Sequence, residues 1–293
     1  MSKIVVTGAS GMLGRVLREE LKEHEIVGTA LTRTRGNLHR LDLTDKTSTE
    51  SFIRTIKPDI IVHTAAERRP DVSQKDPEGT VRVNVDATKT IAEAAKEVGA
   101  WVLYISTDYV FDGTNPPYSP GDKPHPLNFY GETKLKGEEA LINILPDAGI
   151  LRLGVLYGKV EFLEESAVTI IAKDVLSKQE MNVDHWGRRY PTLVDDVAII
   201  CRQLAEQRLK DTTTSGVWHW CGNECFTKYE MAKIIGEVFS IPTDHLKPDS
   251  NEPKGAPRPR DCKLDCSKLE SWNMGRHTSF REAIDVALRP FIG

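Results

Sequence analysis

The sequence has 293 residues, 39% of them apolar, and a formal net charge of −4 with both signs interspersed. That composition suits a globular protein with ample core, and it argues against a nucleic-acid footprint and a polybasic membrane patch. No apolar run is long enough to span a bilayer, and a strand begins within three residues of Met1, so no leader peptide is expected ahead of it.

The first stretch, K-I-V-V-T-G-A-S-G-M-L-G, runs from Lys3 to Gly14. Ile4, Val5 and Val6 form the short apolar run of a buried parallel strand. Gly8, Gly11 and Gly14 follow at spacings of three, and Leu13, Val16, Leu17 and Leu21 then mark one helical face. A strand, a glycine turn and a helix make an anion site. The glycines let the backbone approach a pyrophosphate, and the helix N-terminus offers unpaired N–H groups and a partial positive charge.

Glu25 to Leu31 reads as the second strand, and its end selects the cofactor. A site for NAD usually carries an acid here, whereas arginine suits a 2′-phosphate. This chain has Thr32, Arg33, Thr34 and Arg35 and no acid. A guanidinium fork matches a phosphate dianion, so NADP is expected, with solvated loop charge as the alternative for Arg33 and Arg35. Asp42 and Leu43 follow, where Asp42 is either an acceptor for the adenine amino group or a turn residue, and Leu43 would pack on the ring.

Thr47 to Lys57 is expected to be helical and Ile60 to His63 to be the third strand. Ala65 is small enough for backbone to lie against a cofactor, and Arg68 sits in a polar loop at a strand's carboxyl end, where ligands gather. Val81 to Val98 reads as one long helix, with Asn84 near its start as a candidate anchor for a relay water. Trp101 to Ile105 is the fourth strand, followed by S-T-D-Y-V-F-D-G, Ser106 to Gly113. Tyr130 and Lys134 open the next helix at i, i+4, on one face. Ile150 to Leu153 is the fifth strand, and Gly216 to Trp220 is a later one.

After Leu156 the alternation loosens. Val160 to Val168 carries Glu161, Glu164 and Glu165, read as solvated helix acids or as groups unfavourable to a nucleotide diphosphate. Arg188, Arg189, Arg258 and Arg260 are the basic candidates for a diphosphate or a protein partner. Lys247 to Arg260 is expected to be a loop. The cysteines (Cys201, Cys221, Cys225, Cys262, Cys266) have neither a disulfide framework nor zinc-site spacing, so they read as small buried residues in a reducing cytosol, with no metal.

The expected fold is α/β, a doubly wound parallel sheet of the NAD(P)-binding Rossmann type with a smaller C-terminal substrate-side lobe. The cofactor domain is 1–155 with 191–217 returning to it, and the lobe is 156–190 and 218–293. Thr107, Tyr130 and Lys134 converge by topology at the end of the fourth strand, as carbonyl reduction requires. Tyr130 would donate a proton, and since a phenol titrates near about 10, Lys134 would lower it electrostatically. Thr107 would hold the carbonyl oxygen.

These pieces, with Y-G-E-T-K and V-D-D-V-A, resemble the extended short-chain dehydrogenase/reductase superfamily. S-T-D-Y-V-F-D-G with P-L-N-F-Y-G-E-T-K is similar to the dTDP-4-dehydrorhamnose reductases, which reduce a nucleotide-sugar ketone with NADPH. A-A-E-R-R-P-D-V (65–72), D-G-T-N-P-P-Y (112–118), L-E-E-S-A-V-T (163–169), D-H-W-x-x-R-x-P-T (184–192), T-K-Y-E-M-A (227–232) and L-D-C-S-K-L-E (264–270) resemble the family of regulatory beta subunits of methionine adenosyltransferase, and that resemblance runs over the whole chain. It implies a cytoplasmic NADP-binding protein that associates with the catalytic subunit of S-adenosylmethionine synthetase. It also implies cofactor contacts at Ser10, Gly11, Met12, Leu13, Leu31, Thr32, Arg33, Asp42, Leu43, Thr64, Arg68, Tyr130 and Leu156. Position 107 is Thr, as in the sugar reductases, where the beta subunits carry Ser.

Overall fold

Ile4 and Val6 point to one face of a seven-stranded parallel sheet and Val5 to the other, and all three are buried. This is the period-two alternation of a strand covered on both sides. The structure, a computed structural model, describes residues 1–292. The strand β1 (Lys3–Thr7) leads into α1 (Met12–Glu20), and β2 (Glu25–Ala30) runs parallel to β1. Next come a short edge strand β3 (His39–Arg40), α2 (Lys46–Ile56) and β4 (Ile60–His63), which pairs with β1 on its other side. Asp45 caps α2 by accepting from Ser48 N.

Two short helices, α3 (Pro70–Lys75) and α4 (Pro77–Val81), precede α5 (Ala87–Val98), β5 (Trp101–Thr107) and α6 (Phe129–Ile144). Then β6 (Gly149–Leu153) joins the sheet, and β7 (Leu156–Tyr157) leaves it. The rest is α7 (Ile171–Leu176), β8 (Met181–Asp184), β9 (Thr192–Leu193), α8 (Val194–Lys210), β10 (Gly216–Trp220), α9 (Lys228–Val238), β11 (Leu246–Asp249), α10 (Ser267–Glu270) and α11 (Phe280–Ile292).

The sheet order is β10-β6-β5-β4-β1-β2-β3. The chain reverses its direction of growth between β1 and β4, and ligands collect at the carboxyl side of such a switch point. There Thr7 Oγ1 and His63 Nδ1 lie 2.7 Å apart, with Gly8 and Thr64 immediately beyond. One face packs on α1 and α8 through Leu17, Val197 and Leu204, the other on α5 and α6 through Ile91 and Leu141. A third apolar cluster, with Tyr157, Val168, Met231, Phe280 and Ile284, gives the C-terminal part a core of its own.

Several elements differ from the sequence reading. The expected helix 81–98 is interrupted by a π turn, Arg82–Asp86. Residues 247–249 are not loop but part of β11, which pairs in parallel with β8. All of β10, Gly216–Trp220, lies in the main sheet beside β6. The last residue of the expected lobe, 293, lies outside the described residues.

Candidate functional site

The glycine turn is closed by contact, not by chance spacing. Gly8 has φ +64°, and a Cβ on it would stand 2.9 Å from Thr64 Oγ1. A Cβ on Gly14 would stand 2.3 Å from Gly8 O. Gly11 N donates to Gly8 O at 2.9 Å, and Gly11 caps α1 without any side-chain hydrogen bond. The first-turn N–H groups of α1 are thus aimed at the switch point with no side chain competing for them, which suits a pyrophosphate. Ser10 Oγ donates to Thr32 O at 3.3 Å, tying the turn to the end of β2. Met12 and Leu13 are buried beneath the turn in the core. Thr64 is held by Thr7, its Oγ1 donating to Thr7 O at 2.6 Å.

A cleft of about 320 Å³ opens beside the turn, lined by Gly8, Leu31, Asp42, Leu43 and Ala65, among others. Leu31 is an apolar side chain 52% exposed at its mouth, which suits the face of an adenine ring. Asp42 Oδ1 accepts from Thr44 N at 2.9 Å and Thr44 Oγ1 at 2.7 Å, so Asp42 both shapes the following turn and lines the cleft. The wall completed by Thr80 and Val83 was missed by sequence reasoning, because the π turn that presents Val83 has no sequence signature of its own.

Arg33 has φ +54°. Its Nη1 donates to Glu161 Oε2 at 2.7 Å and to Glu165 Oε1 at 2.9 Å. Arg35 is exposed and linked to Arg33 through its backbone N–H. Arg15, in the first turn of α1, donates to Ser10 O at 2.9 Å and to both oxygens of Glu165 at 2.8 Å. Arg68 Nη2 donates to the Glu165 carbonyl at 2.6 Å. Burial alone would raise the Glu165 pKa, but Arg15, the Glu161 N–H and Arg33 hold it down at about 2. Of the two readings of these acids, as unfavourable neighbours of a diphosphate or as solvated helix acids, the second does not describe Glu165. The three lie on and beside a short 3-10 turn, 163–165, where Glu164, paired with Lys173, and Glu161 are exposed and Glu165 is buried. Leu156 is at the base of this segment, where its carbonyl accepts from Ser166 Oγ at 2.7 Å. Arg15 directly follows Gly14, the one sequence cue that could have placed it here.

Thr107 ends β5 and Tyr130 opens α6, whose N-cap Asn128 accepts from Gly131 N at 2.9 Å. The structure brings Thr107 and Tyr130 together, and the Thr107 hydroxyl works against the upward shift of the Tyr130 pKa. Burial dominates, so the phenol is held well above its ordinary value. Lys134 is anchored on β5. Its Nζ donates to Ile105 O at 2.8 Å and lies 3.9 Å from the centre of the Tyr104 ring. Burial lowers its pKa to about 7, with Glu138 opposing. Asn84 is buried and engaged by Glu67 N, Glu67 O and Thr133 Oγ1 rather than set for a relay water. Asp108, which sequence reasoning missed, has its pKa raised to about 7 by burial, with the Thr107 hydroxyl at 3.1 Å opposing. A neutral phenol beside a hydroxyl and a partly protonated carboxyl can donate a proton to a developing alkoxide.

The four basic candidates are engaged locally. Arg258 binds Asp71 at 2.5 Å, Arg189 donates to Arg188 O at 2.8 Å, Arg188 lies 3.9 Å from Asp261, and Arg260 Cζ lies over the Trp186 ring, 6.0 Å from its centre. Four cysteines are buried and Cys225 is half-buried, and no metal-binding group of His, Cys, Asp and Glu occurs among the described residues. No helix among them is long and apolar enough to cross a membrane.

The family described as "RmlD substrate binding domain" matches residues 2–292. A protein of Pongo abelii named methionine adenosyltransferase 2 subunit beta is 48% identical over 99% of this chain and 88% of its own length. A dTDP-4-dehydrorhamnose reductase of Sinorhizobium fredii is 30% identical over 92% of this chain and 90% of its own. A crystal structure of the dTDP-4-dehydrorhamnose reductase of Bacillus anthracis in complex with NADP superposes with a TM-score of 0.86 at 27% identity, covering 99% of this chain and 100% of that one.

Proposed function

The chain belongs to the RmlD substrate-binding-domain family and, within it, to the family of methionine adenosyltransferase 2 beta subunits, and from that premise we propose that it is an NADP-binding regulatory subunit. It associates with the catalytic subunit of S-adenosylmethionine synthetase and tunes it, in S-adenosylmethionine biosynthesis and one-carbon metabolism in the cytoplasm. The observation that carries this reading is 48% identity over 99% of the chain to a protein named as a subunit. Generic fold similarity does not produce that, since the blocks 227–232 and 264–270 lie outside the nucleotide cleft.

NADP is supported by the glycine cradle, the Leu31–Asp42–Leu43 cleft and the arginines at the end of β2. Gly8, Gly11 and Gly14 with Ser10, Met12 and Leu13 hold the pyrophosphate. Leu31, Thr32, Asp42 and Leu43 take the adenosine. Arg33 and Arg35 take the 2′-phosphate, and Thr64, Ala65, Arg68, Tyr130, Lys134 and Leu156 flank the nicotinamide half. The work divides between a cofactor domain, 1–155 with 191–217 returning to it, and a smaller lobe, 156–190 and 218–293.

The experiment is co-purification with an S-adenosylmethionine synthetase catalytic subunit, with and without NADP. A stable complex with an altered synthetase rate is expected. Absence of any complex, together with consumption of NADPH in the presence of dTDP-4-dehydrorhamnose, overturns the reading.

A second reading has its own observation. Thr107 and Tyr130 stand together, and Thr107 is the residue of the sugar reductases. In that reading the chain reduces a nucleotide-linked 4-keto sugar, the bound nicotinamide supplying hydride. Tyr130 would give its proton to the carbonyl oxygen, Thr107 would orient that oxygen, and protonated Lys134 would favour the phenolate left behind until solvent reprotonates it.

A further inference from the structure

The segment from Val160 to Ser166 crosses from β7 to the far side of the glycine turn and lands on Arg15 and Arg33. Two of its three carboxylates, Glu161 and Glu165, meet the guanidiniums of Arg15 and Arg33, while Glu164 pairs with Lys173. Glu165 is fixed. It is 5% exposed, takes both nitrogens of Arg15, and accepts from Glu161 N at 2.9 Å. The backbone around it is tied down as well, by Ser166 Oγ to Leu156 O and Thr169 Oγ1 to Leu163 O, each at 2.7 Å.

Glu161 is different. Its side chain is 39% exposed, it touches Arg33 at 2.7 Å, and its next cationic neighbour, Arg15, is 3.9 Å away. Arg33 itself is 34% exposed. One carboxylate of the pair can therefore swing into water while the segment stays where it is.

We propose that Glu161 is a specificity-determining residue that competes with a phosphomonoester for Arg33, so that the 160–166 segment sets how strongly the site prefers a 2′-phosphate over a 2′-hydroxyl. A phosphate dianion carries more charge than the carboxylate it displaces, and it accepts bidentately from the guanidinium. A 2′-hydroxyl displaces nothing, so the Arg33–Glu161 pair stays closed over an unphosphorylated ribose. The segment thus taxes the phosphorylated cofactor alone.

The inference rests on the NADP reading above. Its test is calorimetric titration of the full chain and its Glu161→Gln variant with NADP, NAD and 2′,5′-ADP, the last carrying the 2′-phosphate without nicotinamide. The amide keeps an acceptor for Arg33 and removes the charge. The variant is expected to bind NADP and 2′,5′-ADP about 3- to 10-fold more tightly, with NAD unchanged and the gain shrinking at high salt. Unchanged NADP affinity overturns the competition. Weaker NADP binding also overturns it, and shows that Glu161 orients Arg33 for the phosphate. If neither form binds NADP while both melt as folded proteins, the cofactor reading fails along with this one.

Discussion

Glu138 and Arg152 form a forked ion pair beneath the reactive centre, with Arg152 Nη2 at 2.6 Å and Nε at 3.0 Å from the carboxylate, and both side chains about 5% exposed or less. Ser106 Oγ donates to the same carboxylate at 2.5 Å, and His219 Nε2 lies 3.4 Å from Arg152. The pair links β6 to the helix that carries Tyr130 and Lys134.

Removing one partner leaves a buried charge without compensation. Arg152→Met and Glu138→Leu are each expected to lose about 3–5 kcal/mol of stability, and the double variant much less than their sum. Urea denaturation of the three proteins measures it. Additive losses would mean that the two charges are solvated separately.

Arg33 leaves the end of β2 in a left-handed backbone conformation and pairs with Glu161 and Glu165. Arg33→Ala is expected to weaken NADP by about 10- to 100-fold while leaving NAD within about twofold. Titration with both cofactors gives the ratio, and an equal loss for both would show that Arg33 does not read the 2′-phosphate.

Glu165 makes a pH prediction. Its folded pKa of about 2 is below the ordinary value of 4.5. A depressed acid contributes stability above its unfolded pKa and loses it as pH falls through the folded one. The contribution is therefore complete at neutrality and fades between about pH 5 and 2, on the order of 2 kcal/mol after allowance for the solvent around Arg33. Melting curves at pH 6, 4 and 3 are expected to show a steeper fall for the native chain than for Glu165→Gln. Parallel falls would refute the assignment.

The parts of this fold legible in the sequence are those decided by nearest neighbours. Gly8, Gly11 and Gly14 announce a strand-turn-helix because the backbone itself must pass there, and Tyr130 with Lys134 share a face by helical period alone. Long-range pairing is another matter. Arg15 and Glu165 are 150 positions apart, and no local pattern says that an acid after β7 returns to the glycine turn. Lys134 sits on the expected face, yet burial turns its ammonium to Ile105 O, an outcome that depends on the depth of the pocket rather than on spacing. The β8–β11 pair hides in a Pro- and Lys-rich stretch because two short parallel strands need little apolar sequence of their own.

Gly14 tests the cradle directly. An added Cβ would lie 2.3 Å from Gly8 O and 2.7 Å from the Ala9 Cα, both backbone and neither able to yield cheaply. Gly14→Ala is expected to cost about 1–3 kcal/mol and to abolish nucleotide binding even where the fold survives. Thermal melts with and without NADP separate the two effects, since a ligand that binds only the folded state raises the melting temperature. A variant still raised by NADP as far as the native chain would show that α1 does not need this close approach.

The reductive centre separates the two functional readings. Tyr130 is held neutral by burial, and Lys134, anchored on Ile105 O, has its pKa lowered to about 7. A subunit that uses the site only to hold NADP is expected to oxidise no NADPH with dTDP-4-dehydrorhamnose, and Tyr130→Phe is expected to retain its complex with the catalytic subunit. Turnover that vanishes in Tyr130→Phe and rises from pH 8 to pH 6, as Lys134 gains its proton, would instead establish a working reductase. The pH arm distinguishes this from a contaminating enzyme, because Lys134→Met, which puts an equally good helix former of similar length at the position, would remove the rise.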